Sequence, residues 1–245
     1  MKRYLPIAAC IVLAGLLSPL LLSAQDDYRL FRDAAGNASL LYRGHKAYEY
    51  NMAFNGTFYW RGPEYRQGSV IYNGKQYDDV SLNIDAVRQE LLVRIPGLTT
   101  SKVLERQCVE QCSFGGNRYL NLQYMYGDDA PSGYWEVLYD GEAKILRRVS
   151  KMLEQDIDGR KSSLTNYDGL YRYNVYQTFT YSSVCCYLSE DGKATIVKRR
   201  SDMMRLIDKP LRGEVRRHIR RVASDNISLP VEQFCVEAVK YLESR

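Results

Sequence analysis

The sequence predicts an α+β protein with an antiparallel, β-rich body (a curved sheet, a sandwich or a partial barrel) followed by two or three C-terminal helices. Tyrosine is abundant, with 21 residues against 6 phenylalanines, and its ring packs on half-buried pleated surfaces while its hydroxyl reaches water. Asn-Gly and Asp-Gly pairs recur between short apolar stretches, as in β-hairpins. Helical periodicity after residue 200 predicts the helices.

Residues 1–24 have the three parts of a secretory signal peptide. Lys2 and Arg3 precede an apolar run, and the small residues that end at Ala24 suit cleavage. Cys10 stands in a pattern that precedes lipid-modified cysteines, but the main apolar stretch follows it, which favours cleavage after Ala24. We therefore expect an exported protein, periplasmic or associated with the outer membrane, with no transmembrane span in the mature chain.

Residues 25–200 are predicted to form the β-rich domain. Four Asn-Gly or Asp-Gly pairs can adopt the positive φ angles of two-residue hairpin turns, and a Gly-Gly-Asn sequence adds a fifth turn. These turns are Asn55-Gly56, Asn73-Gly74, Gly115-Gly116-Asn117, Asp140-Gly141 and Asp191-Gly192. Polar, glycine-containing stretches predict exposed loops over residues 127–133 and 156–166.

Residues 201–245 are predicted to be helical and to pack on the same domain. Ser201 can cap a short helix over 202–208, and a basic helix follows over 213–224. Pro230 begins a third helix whose apolar residues recur at helical spacing. They are Val231, Phe234, Cys235, Ala238, Val239 and Leu242. This apolar stripe needs a partner, and the β body is the nearest surface.

Three stretches of the mature chain carry motifs of turns and packing positions. They are Gly68-Ser69-Val70-x-Tyr72-Asn73-Gly74-x-x-Tyr77 with Val80-x-Leu82-Asn83, Leu138-Tyr139-x-Gly141-Glu142, and Ile196-Val197-Lys198-Arg199-Arg200-Ser201-Asp202-Met203-Met204. Together they resemble an uncharacterised family of secreted envelope proteins from Gram-negative gut and marine bacteria. The resemblance implies an envelope location and a β body with a helical tail, and it supplies no active-site residue.

Five cysteines remain once the leader is removed: Cys108, Cys112, Cys185, Cys186 and Cys235. Cysteines of exported proteins tend to form disulfides, and an odd count leaves one thiol free or bonded to another molecule. Cys185 and Cys186 would point to opposite faces of a strand, so each is expected to bond elsewhere. The connectivity stays open. With two histidines and no second cysteine pair at metal-ligand spacing, no metal or cofactor is predicted.

The charge pattern narrows the classes of function. Removing Lys2 and Arg3 with the leader lowers the formal net charge from +5 to +3, a mild excess that, together with export, disfavours nucleic acid as a partner. The sequence has no Gly-x-Ser-x-Gly motif, and His45 and His218 are predicted to be solvated surface residues. No catalytic residue is assigned.

Four arginines of the basic helix form two pairs, each about one turn apart: Arg216, Arg217, Arg220 and Arg221. They form either a patch for anionic lipid, glycan phosphates or an acidic partner, or the solvated face of an amphipathic helix. The sequence favours a non-catalytic envelope protein that is accessory to another envelope protein or binds a ligand. The alternatives are a secreted hydrolase of glycan or peptide and a lipid or lipopolysaccharide binder.

Two further residue classes bear on these alternatives. A glycan hydrolase needs two opposed carboxyl groups, and the candidates are Asp78, Asp79, Asp128, Asp129 and Glu136. Tyrosines can stack on sugar rings, but here they are spread along the whole chain, which favours packing in the sheet.

Overall fold

The computed structural model describes residues 39–51, 54–158, 174–223 and 229–245. The predicted signal peptide and its Cys10 lie outside these residues. From Gly44 onward the described residues belong to one unit, and Ser39–Arg43 lie outside it. Within that short piece, Ser39 caps a one-turn 3-10 helix, Leu40–Tyr42.

Ten antiparallel strands form one sheet, which confirms the β-rich body predicted from the sequence. The strands are β1 Arg66–Tyr72, β2 Lys75–Asp85, β3 Glu90–Arg94, β4 Ser101–Leu104, β5 Val109–Phe114, β6 Asn117–Asn121, β7 Tyr134–Asp140, β8 Lys144–Asp158, β9 Asn174–Leu188 and β10 Ala194–Val197. Their order across the sheet is β10-β9-β8-β7-β6-β5-β1-β2-β3-β4. The sheet therefore consists of two meanders, β1–β4 and β5–β10, joined where β1 pairs with β5.

Four of the five predicted turns connect neighbouring strands. Asn73 and Gly74 have φ angles of 52° and 69° between β1 and β2, and Gly115 and Gly116 have angles of 58° and 77° between β5 and β6. Positive φ at both central positions is typical of two-residue hairpins. The other two turns join β7 to β8 at Asp140-Gly141 and β9 to β10 at Asp191-Gly192.

Asn55-Gly56 forms no hairpin, so that prediction is wrong. Asn55 instead bonds to β9: its N–H donates to the Gln177 carbonyl at 2.7 Å, and its carbonyl accepts the Phe179 N–H at 3.1 Å. The prediction of a loop over 156–166 is also wrong for its first three residues, because β8 continues to Asp158. The rest of that loop lies outside the described residues.

The sheet is curved, because the connection between β4 and β5 is too short for a flat one. In a flat sheet these strands would lie four strand spacings apart, about 19 Å. Glu105–Cys108 connects them, and its last three residues form a 3-10 turn, so it reaches only about 13 Å. The curvature also brings the β2–β3 turn onto β8. There Gln89 Nε2 donates to the Val149 carbonyl at 2.8 Å, and the Lys151 N–H donates to the Ala86 carbonyl at 3.0 Å.

The described residues contain four α-helices, and three of them are C-terminal, as predicted. They are α1 Leu122–Tyr126, α2 Arg200–Leu206, α3 Arg212–Val222 and α4 Val231–Glu243. A 3-10 turn, Lys209–Leu211, separates α2 from α3. Within these same residues, no helix combines the length and the apolarity needed to cross a bilayer.

The C-terminal helices cover one face of β7–β10, and a separate apolar cluster lies on the opposite face. Ile145 and Cys185 belong to the helix-side cluster. The next residues along the two strands, Leu146 and Cys186, belong to the opposite cluster together with Trp135. This division follows from the alternation of side chains along a strand.

Both ends of α4 are fastened to the sheet by carboxylates. Near its start, Glu232 accepts a hydrogen bond from the Ser183 hydroxyl. At its end, Glu243 accepts the Tyr139 hydroxyl at 2.7 Å and the Ala143 N–H at 2.9 Å. These bonds fix the position of the helix along the strands.

Asp85, at the end of β2, is 2% exposed and organises the β2–β3 turn. Its carboxylate accepts the N–H groups of Val87 and Arg88 at 2.8 and 3.0 Å, and the Tyr50 hydroxyl at 3.1 Å. Burial nevertheless raises the pKa of this carboxyl above its ordinary range, and the nearby charge of Glu90 adds to the rise.

We expect Asp85→Asn to change how stability depends on pH. Because the folded-state pKa is raised, the stability contributed by Asp85 is complete below the ordinary carboxyl pKa and is lost as pH rises through the folded-state value. Urea unfolding between about pH 4 and pH 7 should show the wild type losing free energy of unfolding relative to Asp85→Asn. A wild type that gains stability relative to the variant over this range would contradict the assignment.

Candidate anion-binding site

Helices α2, α3 and α4 line an open cavity of about 350 Å³, which we call the arginine pocket. Met204 and Phe234 form its apolar floor, and both side chains are buried. Polar residues of α2 and α3 complete the lining: Arg200, Ser201, Arg205, Arg212 and Arg216. Four arginines therefore line a pocket with an apolar floor.

Helical spacing accounts for the lining. Arg200 and Met204 lie one turn apart along α2, and so do Ser201 and Arg205, so the two pairs occupy adjacent sides of the helix. Arg212 and Arg216 lie one turn apart on α3. Residues of both helices line the same cavity.

Two of the arginines are held in place by backbone carbonyls. Arg212 donates from Nε to the Ile207 carbonyl at 2.8 Å and from Nη2 to the Arg205 carbonyl at 3.1 Å. These carbonyls lie at the C-terminal end of α2, where the helix dipole favours a cation. Arg200 donates to the Leu229 carbonyl, and its guanidinium lies 6.0 Å from the centre of the Phe234 ring. The two bonds of Arg212 position its guanidinium without neutralising its charge.

The other two arginines point into solvent. Arg205 lies 3.5 Å from Asp202, with 78% of its side chain exposed. Asp202 also accepts the N–H groups of Lys198 and Arg199 at 3.2 and 2.9 Å, at the start of α2. Arg216 is exposed. Positive charge therefore exceeds negative charge among the residues of this pocket.

The structure separates the four arginines predicted from the sequence. Arg216 lines the arginine pocket, Arg217 and Arg221 line a smaller cavity of about 160 Å³, and Arg220 lines neither. Hydrogen bonds and ion pairs in the described part of the chain involve none of these four side chains. Of the four arginines that the sequence selected, one therefore lines the pocket and the other three lie outside it.

The smaller cavity already contains a carboxylate. Glu214 pairs with Arg245 at 2.7 Å and accepts the Tyr241 hydroxyl at 3.3 Å. His218 stacks on Tyr241 with ring centres 4.6 Å apart and is half-buried, so its prediction as a solvated residue is wrong. His45 is exposed, as predicted.

Arg200 and Arg212 belong to the basic cluster that is visible in the sequence, but they were not among the four arginines assigned as site residues, and Arg205 was not singled out. The spacing along α2 was visible in the sequence, but the packing of α2 against α3 and α4 was not. Phe234 was predicted only as a core residue of α4, where its burial is confirmed.

A third cavity, of about 290 Å³, gathers tyrosines that are scattered in the sequence: Tyr48, Tyr50, Tyr59 and Tyr65. Scattering along the chain thus did not prevent clustering in space. Each ring is already packed against a neighbour: Phe58 lies 4.2 Å from Tyr50 and 4.1 Å from Tyr59 between ring centres. The guanidinium groups of Arg94 and Arg88 lie 4.1 Å and 5.0 Å from the rings of Tyr65 and Tyr48. With these faces covered, the rings contribute more to packing than to stacking on a sugar.

The candidate carboxylates have structural partners or lie in solvent. Glu136 is 1% exposed and accepts Arg147 Nε at 3.1 Å and Nη2 at 2.7 Å, together with a hydrogen bond from Arg61. Its oxygens are thus occupied by charge-assisted hydrogen bonds that join β7 to β8 and to Arg61. Exposed positions hold the other four candidates: Asp78, Asp79, Asp128 and Asp129.

The five cysteines are thiols in this structure. Cys112, Cys185, Cys186 and Cys235 are buried, and Cys108 is half-buried. Among the described ranges, no three His, Cys, Asp or Glu side chains lie close enough together to hold a metal ion.

No family model, curated protein or solved structure matches this chain. The resemblance to secreted envelope proteins of Gram-negative bacteria stays a prediction, and the arginine pocket is the feature that bears on function.

Proposed function

We propose that this chain is an exported, non-catalytic protein that binds the phosphate of an anionic lipid headgroup in the arginine pocket. The lining of one pocket by four arginines and by the apolar side chains of Met204 and Phe234 carries the proposal. Planar guanidinium groups bind phosphate oxygens through paired, charge-assisted hydrogen bonds. Met204 and Phe234 would contact the apolar atoms that adjoin the phosphate.

The volume of the pocket agrees with a headgroup. At about 350 Å³ it lies near the lower end of small-molecule sites, about 300–1,000 Å³. A phosphate and its glycerol or sugar fit such a volume, while acyl chains would stay in the bilayer. Phospholipid and lipopolysaccharide present the same phosphate chemistry, so either could supply the ligand.

The contacts of Glu136 favour this function over a hydrolase, and a lipid-binding assay separates it from an accessory role. A hydrolase would need a carboxyl group free to exchange a proton, and the buried candidate Glu136 is bonded to Arg61 and Arg147. An accessory protein would need a partner surface of complementary charge, which the guanidinium groups would also attract. A binding assay with purified lipid separates a headgroup site from a protein interface.

We expect Arg216→Ala to weaken binding to anionic vesicles about tenfold or more, because a hydrogen bond between charged groups contributes about 1.5–3 kcal/mol. Arg220→Ala is the matched control. Arg220 lies one turn further along α3 and is equally exposed, but it does not line the pocket. Its loss should weaken binding by about twofold or less, the effect of an exposed charge.

Sedimentation with phosphatidylcholine vesicles, with and without phosphatidylglycerol, measures both affinities, and circular dichroism verifies folding. Lipopolysaccharide and inorganic phosphate as competitors identify the source of the phosphate. Equal losses for both variants would indicate diffuse attraction by α3 and overturn the pocket. Failure of the wild type to bind any of these probes would overturn the function.

A further inference from the structure

Cys185 of β9 and Cys235 of α4 meet between the sheet and the helical layer. Their exposed fractions are 2% and 0%, and both belong to the same apolar cluster. The pKa of the Cys235 thiol is raised, first by its hydrogen bond with Cys185 and then by burial. Ser183, two residues before Cys185 on β9, donates to Glu232, three residues before Cys235 on α4. Strand and helix spacing therefore place the two cysteines on facing sides of the same buried cluster.

The neighbouring cysteine in sequence is excluded from this contact. Cys186 lies on the opposite face of the sheet, in the cluster of Trp135 and Leu146. Burial, as the largest cause, raises the pKa of its thiol to about 12. The backbone of β9 therefore presents only one of its two adjacent cysteines to α4.

We propose that Cys185 and Cys235 form a disulfide that links β9 to α4 in the exported protein. The pairing rests on the export stated in the proposed function and is independent of ligand binding at the arginine pocket. The carboxylate bonds of Glu232 and Glu243 hold α4 in register along the strands, which keeps Cys235 on the side of the helix that faces Cys185.

The oxidant is the disulfide of a thiol–disulfide exchange protein or of oxidised glutathione. One cysteine thiolate attacks that disulfide and releases one oxidant thiol, which leaves a mixed disulfide. The second cysteine then displaces the other oxidant thiol. Two protein thiols and one oxidant disulfide become one protein disulfide and two oxidant thiols. Because both sulfurs are buried in the folded state, the exchange takes place while α4 docks.

The bond adds a covalent constraint at the end of the chain. It would close a loop from β9 to α4 that contains β10, α2 and α3. A disulfide that closes a loop of this length lowers the conformational entropy of the unfolded chain and so stabilises the folded state. In this form the arginine pocket would be tied to the sheet through Cys235, the residue next to Phe234.

The test uses the chain expressed with its own leader and purified from the extracytoplasmic fraction, and the same chain refolded in a glutathione redox buffer. The protein is unfolded in denaturant at acidic pH, its thiols are alkylated there with N-ethylmaleimide, and peptides are mapped by mass spectrometry without reduction. We expect one linked peptide pair containing Cys185 and Cys235, with a mass lower by two hydrogen atoms. We also expect reduction to lower the melting temperature by roughly 5–15 °C.

Three variants assign the effect: Cys185→Ser, Cys235→Ser and, as the matched control, Cys186→Ser. The first two should lose the change in melting temperature on reduction, and the control should retain it. Alkylated Cys185 and Cys235 in the refolded protein, or either residue linked to a different cysteine, would overturn the pairing. If the linked pair appears only after refolding, and the chain purified from cells has free thiols, the result supports the pairing and contradicts the proposed export.

Discussion

Gly68→Ala is expected to lower the free energy of unfolding by about 3 kcal/mol or more, because the added methyl group has no space. Gly68 lies in β1 and pairs with Val80 of β2 and Phe114 of β5. A Cβ atom there would overlap the Ser113 carbonyl oxygen and lie 2.7 Å from Phe114 Cβ and 2.9 Å from its Cα. Backbone atoms of a paired strand cannot retreat without breaking the ladder that joins the two meanders.

Gly213→Ala is the matched control for this substitution. Gly213 lies in the first turn of α3, and a Cβ atom there would have no neighbour within 4 Å. Alanine should therefore raise the free energy of unfolding by about 0.5–1 kcal/mol, the usual gain over glycine in a helix. Urea unfolding measures both effects. A Gly68→Ala variant within about 1 kcal/mol of the wild type would show that the β1–β5 contact is looser than described.

Glu136→Ala is expected to destabilise the protein by about 2–4 kcal/mol, because its removal leaves two guanidinium groups without their shared carboxylate. The carboxylate side chain is 2% exposed, while those of Arg61 and Arg147 are 49% and 30% exposed. Since both arginines can turn towards water, the loss stays below the full penalty of a buried, unpaired charge.

Asp140→Ala provides the comparison for Glu136. Asp140 also forms ion pairs with two cations, Arg118 and Lys144, each at 2.5 Å, but 43% of its side chain is exposed. The hydrogen bond with Lys144 is the largest cause that lowers the pKa of this carboxyl, yet water screens such a pair. We expect a loss of less than about 1 kcal/mol. Equal losses at both positions, measured by urea unfolding, would contradict the dominant role assigned to burial.

Turn chemistry explains which parts of the fold were predictable. Asn73-Gly74 forms its hairpin because two residues with positive φ determine the turn locally. Asn55-Gly56 has the same residue types, but its neighbourhood is determined by hydrogen bonds to β9, far away in sequence. Periodicity likewise predicted α4, whose stripe of Phe234 and Cys235 faces the sheet.

The candidate site was predictable only in part, since it depends on contacts between elements. Arg216 was selected from its helical spacing, but its partnership with Arg200 and Arg205 requires α2 to pack against α3. No local pattern encodes that packing angle. The meeting of Cys185 with Cys235 has the same origin, because strand alternation predicts the face of Cys185 and not the partner across it.

The joint between the two meanders also has a consequence for the order of folding. Of the nine strand pairings in the described residues, eight join strands that are neighbours in sequence, and only β1 with β5 does not. Each meander can grow hairpin by hairpin at small loop-closure entropy, whereas Tyr72 reaches Val109 only after the intervening chain has been arranged. We therefore expect closure of this one ladder to be the slow step of folding, with the edges of β1 and β5 unpaired until it closes.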